Sequence, residues 1–425
     1  MQLLVMFSDF RIVRDTRSLP AITDPRSAAV AALAPVLGGL RGKRVAITAG
    51  SRGVSNIGEI LAGAVIAVRN AGGDPFVVAA MGSHGGGTPE GQREILAHLG
   101  VTEESIGTTI STAMDVVELG TTVRGVAVCA DRVAAGADAI VVIGRIKPHT
   151  DFSGGIESGL AKMLAIGLGK AAGAKRYHAA FAKYDYESII REVSAFNLAH
   201  LPVVAGLGIV EDHRGNTNTL EGIAPAAFVA SEERLLVHAR SLLSRLPFPN
   251  LDLLVVDEMG KNYSGTGMDT NVTGRAVDGR TQKMPSPHIE QLFVRKLSAH
   301  SEGNAIGIGL ADFCTKQLAD SIKWSSTYLN ALTAAQPACA RLPVVCTSDR
   351  EAIGHALTAA GIDDPREARI VRIANTLHMD TLIASERALA DLEHADRYAI
   401  EDRIEAFAFD SDGNIPPIAM VAGAH

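Results

Sequence analysis

The sequence predicts an α/β fold, with two α/β domains that contain mostly parallel sheets. Short apolar runs typical of buried strands, such as RVAIT, PFVVAAM and AIVVIG, alternate with longer segments of helical periodicity. Glycine is abundant at 42 residues and aromatic residues make up only 4%, which favours tightly turned α/β units. At 425 residues the chain exceeds the usual size of a single core, so we expect two domains.

The elements follow one another in a regular order. MQLLVMFSDF is predicted as a first strand, SAAVAALAPVL as a helix, RVAIT as a strand and IGEILAGAVIAVRNAGG as a helix that stops at glycine. After the strand PFVVAAM, a helix is predicted with Thr88 as its N-cap and Pro89 in its first position. AIVVIG precedes a glycine-interrupted segment from Phe152 to about Ala180, and VVAGLGIVEDHRGNTNTLEGI is typical of an edge hairpin that turns at RGN. Repeated βα units of this kind imply parallel strands.

A domain boundary is predicted in SRLPFPN, residues 244–250, where two prolines stand beside polar residues. The N-terminal domain then spans residues 1–247 and the C-terminal domain residues 250–404. The second domain begins a new α/β series with LDLLVVDEMGK, NAIGIGLAD, LPVVCTSD and ARIVRIAN. We expect residues 405–425 to return to the first domain.

Composition excludes several classes of protein. The net charge of −7 argues against nucleic acid as a partner. The start of the chain lacks the features of a signal peptide, and no uncharged apolar run of about 18 residues predicts a membrane span. The four cysteines form no CxxC pair, which is typical of reduced thiols in a cytoplasmic protein.

Three histidines and a lysine are the strongest candidates for chemistry. His84 and His149 follow apolar runs that predict buried strands, and ligands collect at the carboxyl ends of such strands. Imidazoles at these positions can move protons near neutral pH or bind a metal. His178 lies in KRYH, where a metal, a phosphate-bearing ligand and a plain helix position are all compatible with the sequence. Several histidines at one edge indicate a site.

Lys162 and Arg52 are the candidate cations. If its segment is helical, Lys162 has mostly small neighbours, which leaves room for a ligand and for an amine of lowered pKa. The alternative is a lysine whose stem packs on an apolar helix while its amine reaches solvent. Arg52, in the loop after RVAIT, can bind a carboxylate or phosphate, or lie on the surface of a turn.

Taken together, these segments resemble the nickel-dependent lactate racemase family. The resemblance covers most of the chain and is densest over residues 45–180. It rests on an arginine loop, TAGSR, on GSH at the next strand end, and on KPHTDFSGGIESGLAK, which contains Pro-His, Ser-Gly-Gly and a lysine. In the second domain GTGMDTNV resembles the family's Asp-x-Asn after a glycine turn.

The resemblance implies a role for each candidate. Lys162 would carry a covalently attached nickel-pincer nucleotide, a pyridinium mononucleotide whose sulfurs and ring carbon hold nickel, and His178 would complete the metal coordination. His84 and His149 would be the acid/base residues on opposite faces of the substrate, and Arg52 would orient a substrate oxygen. The other residues implied in cofactor binding are Ser51, Gly154 and Gly155.

Two departures from the family pattern affect these expectations. Glu157 stands where the family lysine would fall without an insertion, so that either Lys162 is the anchor or the anchor is missing. The second domain has NVTGRAV where the family carries a glutamine and a lysine toward the substrate, and Gly274 and Val277 cannot make those contacts. Arg275 or Lys261 would replace them, and a larger hydroxy acid or sugar acid would fit better than lactate.

The sequence thus predicts a cytoplasmic isomerase, a racemase or epimerase of a hydroxy acid, with its site in the interdomain cleft. Its expected partners are the small-molecule substrate and the enzymes that make the nickel-pincer nucleotide, and a homo-oligomer is compatible with the sequence. One alternative is a metal-dependent lyase or dehydrogenase on the same scaffold. Another is a non-catalytic protein that binds a carboxylate or nucleotide.

Overall fold

The computed structural model describes residues 7, 9–51, 53–181, 183–278, 283, 286–334, 336–404 and 407–418. Its contacts divide the chain into two compact units. The first unit is Leu19–Leu243, and the second unit combines Met1–Ser18 with Ser244–His425. Strand β1 (Phe10–Asp15) therefore belongs to the second unit.

The sheet of the first unit is parallel except at one edge. Its strand order is β4-β3-β2-β7-β8-β9, and β5 and β6 form a separate antiparallel pair. Only the β8–β9 pairing in the larger sheet is antiparallel among the pairings of the described residues. The strands are β2 (Arg44–Ala49), β3 (Asp74–Ala79), β4 (Ile110–Ser111), β5 (Val116–Thr121), β6 (Ala127–Asp131), β7 (Ala139–Arg145), β8 (Val203–Glu211) and β9 (Thr217–Ile223).

Helices cover both faces of this sheet, so alternate residues of a central strand are buried on opposite sides. Val45 and Ile47 of β2 belong to one apolar cluster and Ala46 to another. The helices are α1 (Pro25–Leu33), α2 (Ile57–Asn70), α3 (Pro89–His98), α4 (Glu103–Ile106), α5 (Arg132–Ala135), α6 (Leu160–Lys162), α7 (Leu168–Phe181), α8 (Tyr186–His200) and α9 (Phe228–Leu242). A π-helical stretch, Met163–Gly167, joins α6 to α7.

Local signals in the sequence explain where these elements begin and end. Thr88 caps α3 by accepting a hydrogen bond from the Gly91 amide, and Pro89 occupies the first turn, as predicted. The hairpin β8–β9 is also as predicted, and its turn contains Gly215 at φ +79°, a conformation that favours glycine.

The second unit contains a mixed sheet of eight strands within the described residues, in the order β13-β12-β11-β10-β14-β15-β1-β16. Pairing is parallel from β13 to β14 and antiparallel from β14 to β16. The strands after β9 are β10 (Asn250–Met259), β11 (His288–Leu297), β12 (Phe313–Thr315), β13 (Val344–Cys346), β14 (Ile370–Ile373), β15 (Thr381–Ser385) and β16 (Tyr398–Ile404). The helices are α10 (Thr270–Thr273), α11 (Lys316–Asp320), α12 (Trp324–Thr333), α13 (Asp349–Ala359) and α14 (Glu386–Leu389).

The α/β class with mostly parallel sheets is therefore confirmed, but several elements differ from the sequence analysis. Most of the first predicted strand lies outside the described residues, and β1 begins only at Phe10. Residues 1–18 join the second unit because β1 pairs with β15 and β16. Residues 407–418 also pack in that unit rather than in the first, since Phe407, Ile415 and Ile418 share an apolar cluster with Phe10. NAIGIGLAD contains a short 3₁₀ turn, Ile308–Leu310, and no strand, whereas β11 was not predicted.

The four cysteines are buried and none forms a disulfide. Among the helices of the described residues, none combines the length and the apolar character needed to cross a membrane.

Candidate active site

Five rings form a row in the first unit that joins the loop after β7 to helices α7 and α8. His149 stacks on Phe152 with 4.1 Å between ring centroids, and Phe152 stacks on Tyr186 at 3.6 Å. Tyr186 contacts Phe181 at 4.5 Å, and Phe181 contacts His178 at 5.4 Å. This ring row places two of the predicted site histidines at the ends of one continuous cluster.

Lys162 lies beside the ring row. It is the last residue of α6, and its Nζ atom is 5.8 Å from the centroid of the Tyr186 ring, within reach of a cation–π interaction. The π-helical stretch begins at the next residue, and such insertions in helices are frequent at functional sites. The half-buried amine therefore faces the middle of the row.

The His178 imidazole responds electrostatically to Lys162. Partial desolvation by neighbouring groups lowers the pKa of His178, the Lys162 ammonium lowers it further, and Asp151 opposes the change. A lowered pKa keeps the imidazole neutral at pH 7, with an unprotonated nitrogen. Lys162 and His178 are thus within electrostatic range of each other.

The loop that carries His149 is closed by the protein itself. The Lys147 amide donates to the Ser158 carbonyl at 3.1 Å, which joins the two ends of residues 147–158. Inside the loop the Glu157 carboxylate is 1% exposed and accepts hydrogen bonds from the amides of His149 and Gly154. Arg240 pairs with it at 2.5 Å. Glu157 is therefore a buried support for the loop.

A backbone hydrogen bond also determines the tautomer of His149. The Asp151 amide donates to His149 Nδ1 at 3.1 Å. A nitrogen that accepts this bond carries no proton, so the neutral ring has its proton on Nε2. Stacking on Phe152 therefore holds the imidazole in place, and the Asp151 amide determines which ring nitrogen carries the proton.

Gly154 and Gly155 use their amides within the protein. The Gly154 amide binds Glu157 at 3.0 Å, and the Gly155 amide binds Glu187 at 3.0 Å. A Cβ at Gly154 would overlap the Glu187 carboxylate, and one at Gly155 would lie 2.8 Å from Arg191 Nη2. Crowding by α8 is thus the reason that the structure gives for glycine at these two positions.

His84 lies in a second loop, which follows β3. Its Nδ1 forms a hydrogen bond with the Ser51 hydroxyl from the loop after β2, so the structure brings together these two predicted residues. A hydroxyl can donate or accept, so either tautomer of His84 is compatible with this bond. Arg52, the adjacent candidate, lies outside the described residues.

Both loops pack against the segment that follows Lys162. A Cβ placed at Gly50 would lie 3.6 Å from Met163, one at Gly82 would lie 3.1 Å from Ile166, and one at Gly87 would lie 3.4 Å from Ala171. The loops after β2 and β3 therefore border the same run of helix that carries Lys162 at its start.

The two candidates from the second unit have different environments. Arg275 is buried: its guanidinium pairs with Asp312 at 2.7 Å and donates to three backbone carbonyls, those of Leu310, Ile289 and Glu290. Lys261 is exposed, and its amine donates to Asn330 Oδ1 at 2.6 Å. Arg275 thus supports the second unit, whereas Lys261 lies at its surface after β10.

A buried carboxyl that the sequence analysis did not identify lies beneath α6. Glu232 of α9 accepts a hydrogen bond from the Ala161 amide at 2.9 Å. Burial raises its pKa to about 7, and the hydrogen bonds from the amides of Ala161 and Leu160 only partly oppose this. Glu232 therefore caps the short helix that presents Lys162.

The aromatic members of the ring row were also missed by sequence reasoning. Phe152, Phe181 and Tyr186 come from three segments, and a lone aromatic residue in each is most simply read as core. The available signal was their position, because Phe152 is three residues after His149 and Phe181 is three residues after His178.

Comparison with known proteins identifies a domain that contains most of this site. Residues 53–189 match a family model described as the lactate racemase N-terminal domain. The lactate racemase apoprotein from Thermoanaerobacterium thermosaccharolyticum has a similar fold, with a TM-score of 0.53 and 13% identity over 87% of this chain and 99% of that chain. A protein from Thermotoga maritima gives a TM-score of 0.48 and 14% identity, over 74% of this chain and 83% of that one. No curated protein matches the chain significantly.

Proposed function

We propose that this chain is a member of the lactate racemase family that racemises or epimerises a 2-hydroxy acid or a related sugar acid. The match of residues 53–189 to the lactate racemase N-terminal domain supports a racemase-type isomerase in general. The observation that carries the proposal is the arrangement of Lys162 over Tyr186, in the middle of a ring row that ends at His149 and His178.

The residues around Lys162 fit a nickel-pincer nucleotide attached to its amine. Such a group would bring its own sulfur and carbon donors to nickel, so a single protein imidazole would suffice, and His178 would supply it. The part of the chain that the structure describes holds no cluster of three potential metal ligands. A cofactor that supplies most of the donors itself does not need such a cluster. When bound, the group supplies an electrophilic carbon that accepts hydride, a chemistry that no side chain offers.

The two remaining histidines handle the proton of the substrate hydroxyl. In the neutral His149 ring the proton lies on Nε2, because the Asp151 amide binds Nδ1. His84 can place its proton on Nδ1 toward Ser51, which leaves Nε2 to accept the hydroxyl proton as the base. His149 would return a proton to the other face only as an imidazolium, and exchanging the two roles serves the reverse direction of a racemisation.

Stacking and hydrogen bonds orient these groups before substrate arrives. Phe152 holds one face of His149, and Glu157 holds the backbone amide of the same residue. Orientation of this kind reduces the entropic part of the barrier. We propose that Lys261, rather than the internally bonded Arg275, binds the substrate, and that Arg52 binds the substrate carboxylate.

Mass spectrometry and turnover assays together test the proposal. The protein is co-produced with the enzymes that make the nickel-pincer nucleotide, and peptides across residues 155–176 are analysed for an adduct on Lys162. Purified protein is then incubated with single enantiomers of 2-hydroxy acids and sugar acids, and products are separated by chiral chromatography. We expect an adduct, and a racemisation rate that falls about 10²–10⁴-fold in His84→Gln and His149→Gln.

The outcomes separate the alternatives. An unmodified Lys162, under conditions that load a known family member, would overturn the proposed cofactor. An adduct with product formation but no stereochemical inversion would instead favour a lyase or dehydrogenase. Lys162→Arg keeps the charge over the Tyr186 ring but removes the attachment point, and serves as the matched control.

A further inference from the structure

Lys170 combines a fully buried side chain with a strained backbone. Its side chain is 0% exposed, and Nζ lies 2.8 Å from Asp131 Oδ2, which is also buried. The backbone has φ +54° and ψ −163° at this third residue of α7, where the helix is kinked. This conformation is unfavourable for a non-glycine residue, so the surrounding structure must hold it in place.

The Lys170 ammonium connects three elements of the first unit. It donates to the carbonyl of Ala79, the last residue of β3. Asp131 ends β6, and its other oxygen accepts from the amides of Val133 and Ala134 at the start of α5. Lys170 itself lies in the helix that bears His178. One side chain therefore joins the end of β3, the end of β6 and α7.

The chain between Ala79 and His84 has little room to move independently of this helix. The Gly82 amide donates to the Gly167 carbonyl at 3.4 Å, and a Cβ at Gly167 would lie 2.8 Å from the Ala80 carbonyl oxygen. Displacement of the helix at Lys170 would thus be transmitted directly to the residues that lead to His84.

Stability alone does not explain this arrangement. A buried ion pair is often no more stabilising than apolar residues of similar volume. Here the pair is accompanied by a strained backbone and by a hydrogen bond to the strand end that precedes a site histidine. These features favour a requirement for position over a requirement for stability.

We propose that Lys170 is a positioning residue, which fixes the His84 loop against the helix bearing His178 by binding the Ala79 carbonyl and Asp131 together. The proposal rests on the proposed function only for its catalytic meaning, since the predicted displacement of His84 is a property of the protein without any cofactor or substrate. Loss of the ammonium should move the His84 ring relative to Ser51.

Nuclear magnetic resonance of the full chain, with ¹³C-labelled histidine rings, tests this directly. His84→Gln identifies the His84 signal among those of the 13 histidines. Three variants are compared: Lys170→Met, Lys170→Met with Asp131→Asn, and Asp131→Asn alone. The double variant removes both buried charges, and asparagine keeps the oxygen that caps α5. Lys175→Met, at an exposed position of the same helix, is the control.

We expect the His84 ring signal to shift, and its contact with Ser51 to be lost, in each of the three variants that retains wild-type circular dichroism. The signals of His200 and His238, elsewhere in the first unit, should stay in place, as should the His84 signal in Lys175→Met. An unchanged His84 signal in the folded variants, with only a lower unfolding midpoint, would overturn the proposal and leave Lys170 a structural role. Failure of the proposed racemase activity would not alter these spectra, so the two failures are distinguishable.

Discussion

Replacing Glu157 with glutamine should loosen the loop that carries His149. One carboxylate oxygen accepts from the His149 amide, and the other accepts from Gly154 and from Arg240. Glutamine keeps one oxygen, so its NH₂ group must face an N–H donor at the other position. A lost hydrogen bond to a charged group costs about 1.5–3 kcal/mol. Arg240 is 34% exposed and its pairing is screened, so it adds little, and we expect about 2–3 kcal/mol in total.

Residue-resolved hydrogen exchange measures this local opening without assuming that two units unfold together. A loss of about 2–3 kcal/mol corresponds to exchange roughly 30–150-fold faster at the His149 and Gly154 amides, since 1.4 kcal/mol is a factor of ten. Glu233→Gln is the control, because Glu233 lies on the same helix as Arg240 and its carboxylate pairs with Arg191 of α8. Equal exchange rates in Glu157→Gln and the wild type would refute the idea that Glu157 supports the loop.

Further perturbations address the ring row, the buried carboxyl and the second unit. A double-mutant cycle of Tyr186→Leu and Phe152→Leu, followed by urea unfolding, should give a coupling of about 0.5–1.5 kcal/mol, and strict additivity would contradict the stacking. The pKa of Glu232 is raised to about 7, so this residue lowers the free energy of unfolding as pH rises from about 4.5 to 7. The free energy of unfolding of Glu232→Gln, measured relative to the wild type, should therefore be larger at pH 7.5 than at pH 5. A difference between the two proteins that does not change with pH would argue against the raised pKa. Arg372→Met removes a bidentate partner, at 2.8 Å from both oxygens of buried Asp257, and should cost about 3 kcal/mol. Fluorescence of the chain's single tryptophan, which lies in the second unit, should report this loss, and an unchanged midpoint would show the pair to be dispensable.

The parts of the fold that the sequence predicted are those with local signals. The strand RVAIT has an apolar centre, and the Thr88–Pro89 start of α3 is defined by two adjacent residues. Strand β11 was missed because HIEQLFVRKL mixes charges with apolar residues. Its Arg295 is buried only because Asp257 and Asp349, which are distant in sequence, pair with it.

The site residues likewise fall into those with a local sequence signal and those that depend on contacts distant in sequence. Histidines that follow buried strands could be recognised from the sequence, since the end of a strand is a local feature. The stacking of Phe152 on Tyr186 depends on how α8 packs against the loop after β7, and no spacing encodes that contact. Burial of Lys170 likewise requires Asp131 at the end of β6, so a lysine in an alanine- and glycine-rich helix gave no sign of it.

The placement of β1 has a consequence for the order in which the protein folds during synthesis. Arg11 pairs with Ala384 and with Arg403, whereas Leu19–Leu243 is uninterrupted. At about 5–20 residues per second, β1 waits roughly 20–75 s for its partner strands, while the first unit can fold as it emerges. An unpaired apolar strand is an aggregation hazard during that interval. Arg11 and Arg14 place two positive charges on FRIVRD. Such charges protect an unpaired strand against aggregation until the rest of its sheet has been synthesised.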